Sequence, residues 1–407
     1  MHLPAICRRD YNIPNMKILH VISYFYPAWS YGGPPRNAFG LCRELVKRGH
    51  EVTVFTTDAL DARHRVKETQ ETVDGIEIKR FRNLNNYAAF RHRIFLSPGM
   101  MGGMSKELKN YDVVHLNDYR TLQNLIAYRN AKKFNVPYVL QARGSLVNII
   151  TKQGLKSTFD ALQGRQLLRN AARLIAVAPQ EVEQYKSFGI SAEKIDIVPN
   201  GIDLEEYENL PARGTFRHKY GLGASNKVVL FLGRVHKSKG IDLLIKAFAG
   251  IARDFTDARL VVAGPDDGHL PELKAMAAGL GLTNKVIFTG PLFGEDKLAA
   301  YVDADVYALT SSYEVFGISI IEALACGTPV VVTDRCGIAD IIKDKAGLVV
   351  PYDAAPLKDA LRQMLENETL RQKLGRLGKA LVRREYGWST IAAKTEQVYQ
   401  RALEKNH

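Results

Sequence analysis

The sequence has 407 residues, of which 46% are hydrophobic and 24% charged, and its formal net charge is +13. A chain of this length exceeds one hydrophobic core, so the composition predicts a soluble globular protein of two domains and excludes a fibrous or disordered chain. An apolar run of about 18 residues is absent, which excludes a transmembrane helix, and a signal peptide is not expected; four cysteines without metal-ligand spacing predict reduced thiols in the cytoplasm.

Residues 1–15 precede the first strand-like run and are expected to be a disordered extension. The chain then alternates apolar strand-like runs with segments of helical spacing, such as residues 34–49. The strands predicted in the first half are 17–23, 51–57, 76–81, 112–117, 138–143 and 173–178.

The same alternation restarts after residue 210. Its predicted strands are 227–235, 258–264, 285–290, 305–311 and 329–334. Near-continuous runs of Val, Ile and Leu indicate strands buried on both faces, as in parallel sheets covered by helices. The fold class is therefore α/β, with two doubly wound, Rossmann-like domains. The polar segment 200–216 is the predicted linker, and the predicted parts of the chain are 16–207, 208–385 and a final amphipathic helix at 386–407.

The positive charge is concentrated in the first half. Residues 1–205 carry 29 Lys and Arg against 19 Asp and Glu. This excess suggests an anionic partner, which could be a nucleic acid, a membrane surface or a phosphorylated substrate.

Ligands of doubly wound sheets bind outside the carboxyl ends of the strands. In the second half, the loop 233–240 carries Arg234 and Lys239 there, just before a helix. Two cations beside a helix N-terminus suit a diphosphate, although they could equally be solvated surface charges. In the first half, Gly32 and Gly33 allow close approach of backbone to a ligand or form a plain turn. A GxxxxGK[ST] phosphate-binding loop and a GxGxxG motif are both absent.

Two glutamates interrupt the apolar stretch 311–334. Glu314 lies in the loop after a strand, and Glu322 lies early in the next helix. They are candidates for binding sugar hydroxyls, while the backbone N–H groups of Phe316, Gly317 and Ile318 can reach a phosphate. The alternative is a pair of acids that only stabilise the helix start.

Asp303 and Asp305 have the spacing of a metal-binding DxD motif. Because Asp305 opens a buried strand and Asp303 ends the preceding helix, they are interpreted as structural residues. No metal site is predicted.

Five segments in this order resemble the retaining glycosyltransferases of family 4. They are YFYPAWSYGGPPRNAFGLCRELVKRGHEVTVFTT, DVVHLND, IVPNGID, GRVHKSKGIDLLIKAF and the E-x7-E segment EVFGISIIEALACGTPVVVTD. The resemblance covers residues 16–400. It implies the GT-B fold, in which two Rossmann-like domains face each other across a cleft and the final helix packs back on the first domain.

The resemblance also implies a role for each matching residue. Arg234 and Lys239 would hold the diphosphate of a nucleotide sugar and stabilise it as leaving group. Glu322 would bind the ribose, Glu314 the transferred sugar, and Gly33 would approach the phosphates on closure. The implied reaction is metal-independent, cofactor-free transfer of a hexose, with retention, to a glycan or lipid-linked sugar in cell-surface polysaccharide or glycolipid synthesis. A nucleotide-sugar epimerase and an inactive sugar-nucleotide-binding protein remain as alternatives.

The acceptor side is less well defined by the sequence. Relatives often carry two histidines in DVVHxH, whereas the second position here is Asn117. His115 is thus either a packed strand residue or a catalytic one. His115, Asn117, Asp118 and Arg143 are the acceptor-side candidates, since they lie at or near the carboxyl ends of first-domain strands.

The segment 79–104 interleaves cations with aromatic residues. It is either a solvated basic face or a surface that docks on the anionic inner face of a membrane. No nucleic-acid-binding module accompanies it, so nucleic acid is not an expected partner. The candidate cations for membrane docking are Lys79, Arg80, Arg82, Arg91 and Arg93.

Overall fold

The structure, a computed structural model, describes residues 14–146 and 157–404. Most of the predicted extension 1–15 lies outside the described residues. The chain divides into two compact units. The first comprises the chain up to Leu174 together with the chain from Ala392 onward, and the second runs from Ile175 to Ile391. The predicted domain boundary between residues 207 and 208 stays a prediction.

The first sheet has eight strands in the order β3-β4-β2-β1-β5-β6-β7-β8. Its central pairs are parallel, while β3 and β4 form an antiparallel hairpin. The strands are β1 Lys17–Val21, β2 Glu51–Thr57, β3 Gln70–Val73, β4 Ile76–Phe81, β5 Val113–Asn117, β6 Tyr138–Gln141, β7 Arg173–Ala176 and β8 Ile195–Ile197. Within the described residues, this part of the chain includes the helices α1 Gly33–Lys47, α2 Asn86–His92, α3 Gly99–Glu107, α4 Leu122–Phe134 and α5 Arg165–Asn170.

The second sheet has six parallel strands in the order β11-β10-β9-β12-β13-β14. They are β9 Lys227–Leu232, β10 Ala258–Ala263, β11 Val286–Gly290, β12 Val306–Leu309, β13 Val330–Thr333 and β14 Gly347–Val350. The helices of this unit are α6 Pro179–Ser187, α7 Thr215–Lys219, α8 Ile241–Ala249, α9 Leu270–Gly279, α10 Gly294–Asp303, α11 Ile318–Ala325, α12 Ala339–Ile342, α13 Ala354–Glu366 and α14 Glu368–Glu385.

Both sheets reverse their strand order once, which confirms the predicted doubly wound architecture. In the second sheet the reversal lies between β9 and β12, and in the first it lies between β1 and β5. Loops leave the carboxyl ends of the two strands on opposite sides of such a point and open a crevice between them. The loops after β9 and β12 contain the predicted diphosphate and E-x7-E motifs.

The last helix, α15 Trp388–Glu404, is held on the first unit by its second half. Arg48 donates two hydrogen bonds to the Glu396 carboxylate, at 2.6 and 2.7 Å, and His50 Nε2 lies 2.9 Å from the same group. Bidentate contacts of this kind fix the relative orientation of the two side chains in addition to stabilising their contact.

Candidate functional site

The loops after β9 and β12 lie side by side. Ser312 N donates to the Ser238 carbonyl at 3.0 Å, and Thr310 Oγ1 donates to the Gly240 carbonyl at 2.8 Å. Gly240 has φ +61°, and a Cβ there would lie 2.0 Å from the Thr310 carbonyl oxygen. Glycine is therefore required where the two loops meet.

This contact brings together two of the predicted site residues. Lys239 Nζ donates to Glu314 Oε2 at 2.5 Å, and the two side chains are only 18% and 17% exposed. The partner that a largely buried carboxylate needs is thus a lysine from the other motif. A cation and a carboxylate at the crevice of the sheet can respectively bind a phosphate and sugar hydroxyls.

Glu322 has different partners, which sequence reasoning missed. Lys297 Nζ donates to its Oε1 at 2.8 Å, and the Tyr301 hydroxyl donates to its Oε2 at 2.9 Å. Burial, and then the charge of Glu322, raises the pKa of Tyr301 well above its ordinary value, so the hydroxyl remains a donor. Both donors lie on α10, one turn apart, but no motif accompanies that spacing.

Arg234 lies on the surface beside the same loops. Its guanidinium donates to Asp267 Oδ2 at 2.5 Å, and its side chain is 62% exposed. An exposed ion pair of this kind is weak and can exchange for another anion at small cost.

The start of α11 is shaped by a glycine. Gly317 precedes the helix with φ +76°, and a Cβ there would lie 2.8 Å from Ile320 Cδ1. Phe316 is buried, whereas Ile318 is partly exposed. The first N–H groups of a helix lack partners within the helix. The prediction that N–H groups at this segment are available to a ligand rests on that property.

Asp303 and Asp305 bind groups of the protein itself, in agreement with their interpretation as structural residues. Asp303 accepts hydrogen bonds from the backbone N–H groups of Gly214 and Arg217, at 2.6 and 3.0 Å. Asp305 accepts one from Val228 N at 2.8 Å and one from the Arg217 guanidinium at 3.2 Å. Both aspartates are buried.

In the first unit, three of the four acceptor-side candidates lie together. Arg143 Nε donates to Asn117 Oδ1 at 3.1 Å, and its Nη1 donates to Asn37 Oδ1 at 2.6 Å. Asp118 follows β5 and accepts a hydrogen bond from the Tyr24 hydroxyl at 3.3 Å. Burial raises the pKa of Asp118, against the opposing charge of Arg143. Asn37 and Tyr24 carry no sequence signal that would have identified them.

His115 lies in the core and has different contacts. It is fully buried, its ring stacks on His20 with 4.5 Å between centroids, and its Nδ1 lies 2.7 Å from the Tyr399 hydroxyl on α15. Burial, and then the charges of His20 and Arg143, lowers its pKa well below the ordinary value. These contacts favour the interpretation of His115 as a packed residue.

The glycine pair begins α1, in the first unit. Gly32 has φ +98°, which favours glycine, but the backbone at Gly33 is not in that region. A Cβ at Gly33 would meet no atom within 4 Å. Among the described residues, neither backbone conformation nor packing requires glycine at position 33, and its approach to a ligand stays a prediction.

The structure corrects the proposed membrane-docking residues. Arg80 is buried and donates to the carbonyl oxygens of Tyr26 and Glu68 and to Glu71, so it cannot reach a bilayer. Lys79 Nζ is held by two carboxylates, at 2.6 and 3.2 Å, and is largely covered. Sequence cannot reveal such pairing, which removes both cations from the surface.

The remaining cations of this segment are exposed and lie among apolar side chains. Arg82, Arg91 and Arg93 reach solvent, and the Arg93 guanidinium lies 4.9 Å from the ring centroid of Tyr31. Half of the large hydrophobic residues exposed in the described part of the chain lie within residues 84–101: Leu84, Tyr87, Phe90, Ile94, Leu96 and Met101. Within the same described ranges, no helix has the length and hydropathy to cross a bilayer.

Two family models together match most of the chain. The model described as "Glycosyltransferase Family 4" matches residues 31–206, and "Glycosyl transferases group 1" matches residues 212–381. The segments carrying the glycine pair and the two motif loops fall within these matches.

Similar proteins cover nearly the whole length. An uncharacterized glycosyltransferase of Methanocaldococcus jannaschii is 30% identical over 405 residues, covering 96% of this chain and 99% of its own. A D-inositol 3-phosphate glycosyltransferase of Xylanimonas cellulosilytica is 28% identical over 393 residues, covering 92% and 93%. The structure of HepE from Anabaena in complex with UDP and glucose has a TM-score of 0.75 at 22% identity, covering 94% and 99%. The fold is thus the GT-B type, with two Rossmann-like domains.

Proposed function

Since the chain belongs to the family of glycosyl transferases group 1 and is a glycosyltransferase, we propose that it transfers a hexose from a nucleoside diphosphate sugar to an acceptor, with retention of configuration. The observation that carries this proposal is the contact between Lys239 and Glu314. It joins a cation suited to a diphosphate and a carboxylate suited to sugar hydroxyls at the crevice of the second sheet.

Each donor-site residue has a role that its position allows. Lys239 and Arg234 bind the diphosphate, exchanging their present carboxylate partners for phosphate oxygens. Backbone N–H groups at Phe316, Gly317 and Ile318 add neutral donors at the start of α11. Glu314, released from Lys239, accepts hydrogen bonds from the transferred sugar.

Catalysis in this proposal is electrostatic. As the bond between the sugar and the diphosphate breaks, negative charge grows on the leaving group while the sugar acquires positive character. Cations already fixed beside the diphosphate stabilise that charge without reorganising in the transition state. Transfer is therefore proposed to need no metal or other cofactor, and the engagement of Asp303 and Asp305 in the fold supports this.

The acceptor is proposed to be a glycan or a lipid-linked sugar. The polar group of Asn117, Asp118 and Arg143 in the first unit supplies hydrogen-bonding groups of both kinds for hydroxyls. One similar protein is named D-inositol 3-phosphate glycosyltransferase, so phosphorylated polyols belong among the acceptors to assay.

The first unit is also proposed to dock on the anionic inner face of a membrane, with the protein otherwise cytoplasmic. On α2, Tyr87, Phe90 and Arg91 have the spacing of one helix face, and all three are exposed. Exposed apolar side chains rimmed by arginines suit the boundary between headgroups and acyl chains. This surface supports access to an acceptor carried by a lipid.

Liposome sedimentation tests the docking proposal. Arg82→Gln with Arg91→Gln should weaken binding to anionic vesicles by about 2 kcal/mol, since each cation near the surface contributes about 1 kcal/mol. The matched control changes Arg376 and Arg383, two exposed arginines of the second unit, and should bind like wild type. Equal binding by both variants at low salt would refute this surface.

The donor proposal is tested by thermal shift against a panel of UDP- and GDP-sugars. A donor present at 100 times its dissociation constant should stabilise the protein by about 2.7 kcal/mol. If no member of the panel shifts the melting temperature, the proposed donor class is wrong.

A further inference from the structure

The carboxylate of Glu322 is held by two donors from one neighbouring helix. Lys297 contacts Oε1 and Tyr301 contacts Oε2, so each oxygen has its own donor. Lys297 and Tyr301 stand at i and i+4 on α10 and therefore share a face of that helix. Two contacts on the two oxygens fix the rotation of the carboxylate plane, which one contact cannot do.

The arrangement leaves acceptor capacity at Glu322. An ionised carboxylate has about four lone-pair positions on its two oxygens; the two donors on α10 occupy one on each, and the Tyr207 hydroxyl also interacts with this carboxylate. The Glu322 side chain is 16% exposed, so the protein does not cover it completely. Hydroxyls of a ligand can occupy the acceptor positions that remain.

The two donors supply different things. Lys297 supplies a positive charge beside the carboxylate, which offsets the cost of placing Glu322 in a largely buried position. Tyr301 is fully buried and supplies direction, because its ring is packed against Tyr307 with 5.7 Å between centroids. Burial, and then the charge of Glu322, also raises the pKa of Tyr207, so a second buried hydroxyl beside the carboxylate remains protonated.

We propose that Lys297 and Tyr301 are positioning residues for the donor nucleotide: they orient Glu322 so that its free lone pairs accept hydrogen bonds from the 2′- and 3′-hydroxyls of the ribose. The proposal rests on the proposed function, which assigns Glu322 to the ribose. Neither residue is proposed to contact the nucleotide. Their effect on binding exists only when the ribose has hydroxyls to offer.

This dependence on the ligand gives a test that a purely structural role would not pass. Dissociation constants for UDP and GDP are measured beside those of their 2′,3′-dideoxy forms, in wild type, Tyr301→Phe and Lys297→Met. In each variant the affinity for the preferred ribonucleotide should fall about tenfold, which corresponds to about 1.4 kcal/mol. The affinity for the dideoxy form should change less than about twofold, equivalent to less than about 0.4 kcal/mol.

A matched control is Tyr138→Phe in the first unit. Tyr138 is buried, and its hydroxyl donates to the Leu167 carbonyl at 2.6 Å, so its loss removes a comparable buried hydrogen bond without touching Glu322. This control should bind all four nucleotides like wild type. Lys297→Arg should recover much of the affinity lost in Lys297→Met, because it restores the charge beside Oε1.

The outcomes separate this inference from the proposed function. If wild type binds UDP or GDP but both forms weaken equally in the variants, or neither weakens, the positioning role is wrong and the proposed function stands. If wild type binds neither nucleotide, both are overturned. Tyr301→Phe keeps the ring, and Lys297→Met changes a partly exposed side chain, so a folding failure of one leaves the other to decide.

Discussion

The ion pair between Lys239 and Glu314 predicts an effect on stability that is separable from the effect on activity. Replacing Lys239 by Met leaves Glu314 without its cation in a position where its side chain is 17% exposed. Removing one partner of a fully buried pair costs about 3–5 kcal/mol, while an exposed pair contributes about 0–1 kcal/mol. The small exposure places this pair between the two, at about 2 kcal/mol. For a unit of about 200 residues, that lowers the melting temperature by about 4–8 °C.

A double-mutant cycle completes this prediction. Adding Glu314→Gln removes the isolated charge. The free energy of unfolding of the double variant, Lys239→Met with Glu314→Gln, should therefore lie within about 1 kcal/mol of the wild-type value. Transfer activity should stay lost, because both groups are assigned to the donor. The control is Lys219→Met: that lysine pairs with Asp296 at 2.7 Å, but the side chains are 52% and 46% exposed, so it should lose less than about 1 kcal/mol. Recovery of activity together with stability in the double variant would refute the donor roles and leave a purely structural pair.

Three further predictions follow from the geometry. Glu314→Gln should mainly lower kcat, which corresponds to a loss of about 2.7–4 kcal/mol of transition-state stabilisation, whereas Glu322→Gln should mainly raise the donor KM. Both variants should fold, and steady-state kinetics with the reverse pattern would contradict the two assignments. Gly33→Ala should melt at or slightly above the wild-type temperature yet bind the donor more weakly. Gly32→Ala should be destabilised by about 1 kcal/mol, because the backbone at Gly32 has φ +98°. A loss of stability in Gly33→Ala would show that packing requires the glycine. Burial, and then a nearby positive charge, lowers the pKa of His20 from 6.5 to about 3, so below the unfolded pKa only the unfolded chain takes up the proton. The free energy of unfolding should then fall by about 1.4 kcal/mol per pH unit between pH 6 and 4 relative to His20→Gln, and equal slopes in denaturant titrations would contradict this.

Eleven of the fourteen described strands were predicted from the sequence, most of them because burial on both faces leaves a nearly continuous Val, Ile and Leu pattern. It missed β3, β8 and β14. The first of these is half-exposed and antiparallel, and it is joined to β4 by the two-residue turn Asp74–Gly75, which is a recognisable hairpin signal. Of the other two, β8 has only three residues, none of them buried, and β14 is a four-residue strand at the edge of the second sheet.

The candidate site was predictable where one motif carries it and not where packing creates it. Lys239 and Glu314 lie in loops after neighbouring strands of a doubly wound sheet, so their proximity follows from the topology. Lys297 and Tyr301 reach Glu322 only because α10 lies against α11, and residue types alone do not encode that contact. The same limit explains Arg80, whose burial beside Glu71 turned a predicted surface cation into a structural one.

The slow hydrolysis of the bound donor offers the most direct measurement, because water can replace an unidentified acceptor. The donor found in the thermal-shift panel is incubated with the protein in EDTA, and proton NMR follows which anomer of the free sugar forms first. We expect the free sugar to form first with the anomeric configuration of the donor, at a rate that EDTA does not reduce. The opposite anomer, a requirement for a divalent metal, or conversion of the donor into an epimeric nucleotide sugar would contradict retaining, metal-independent transfer.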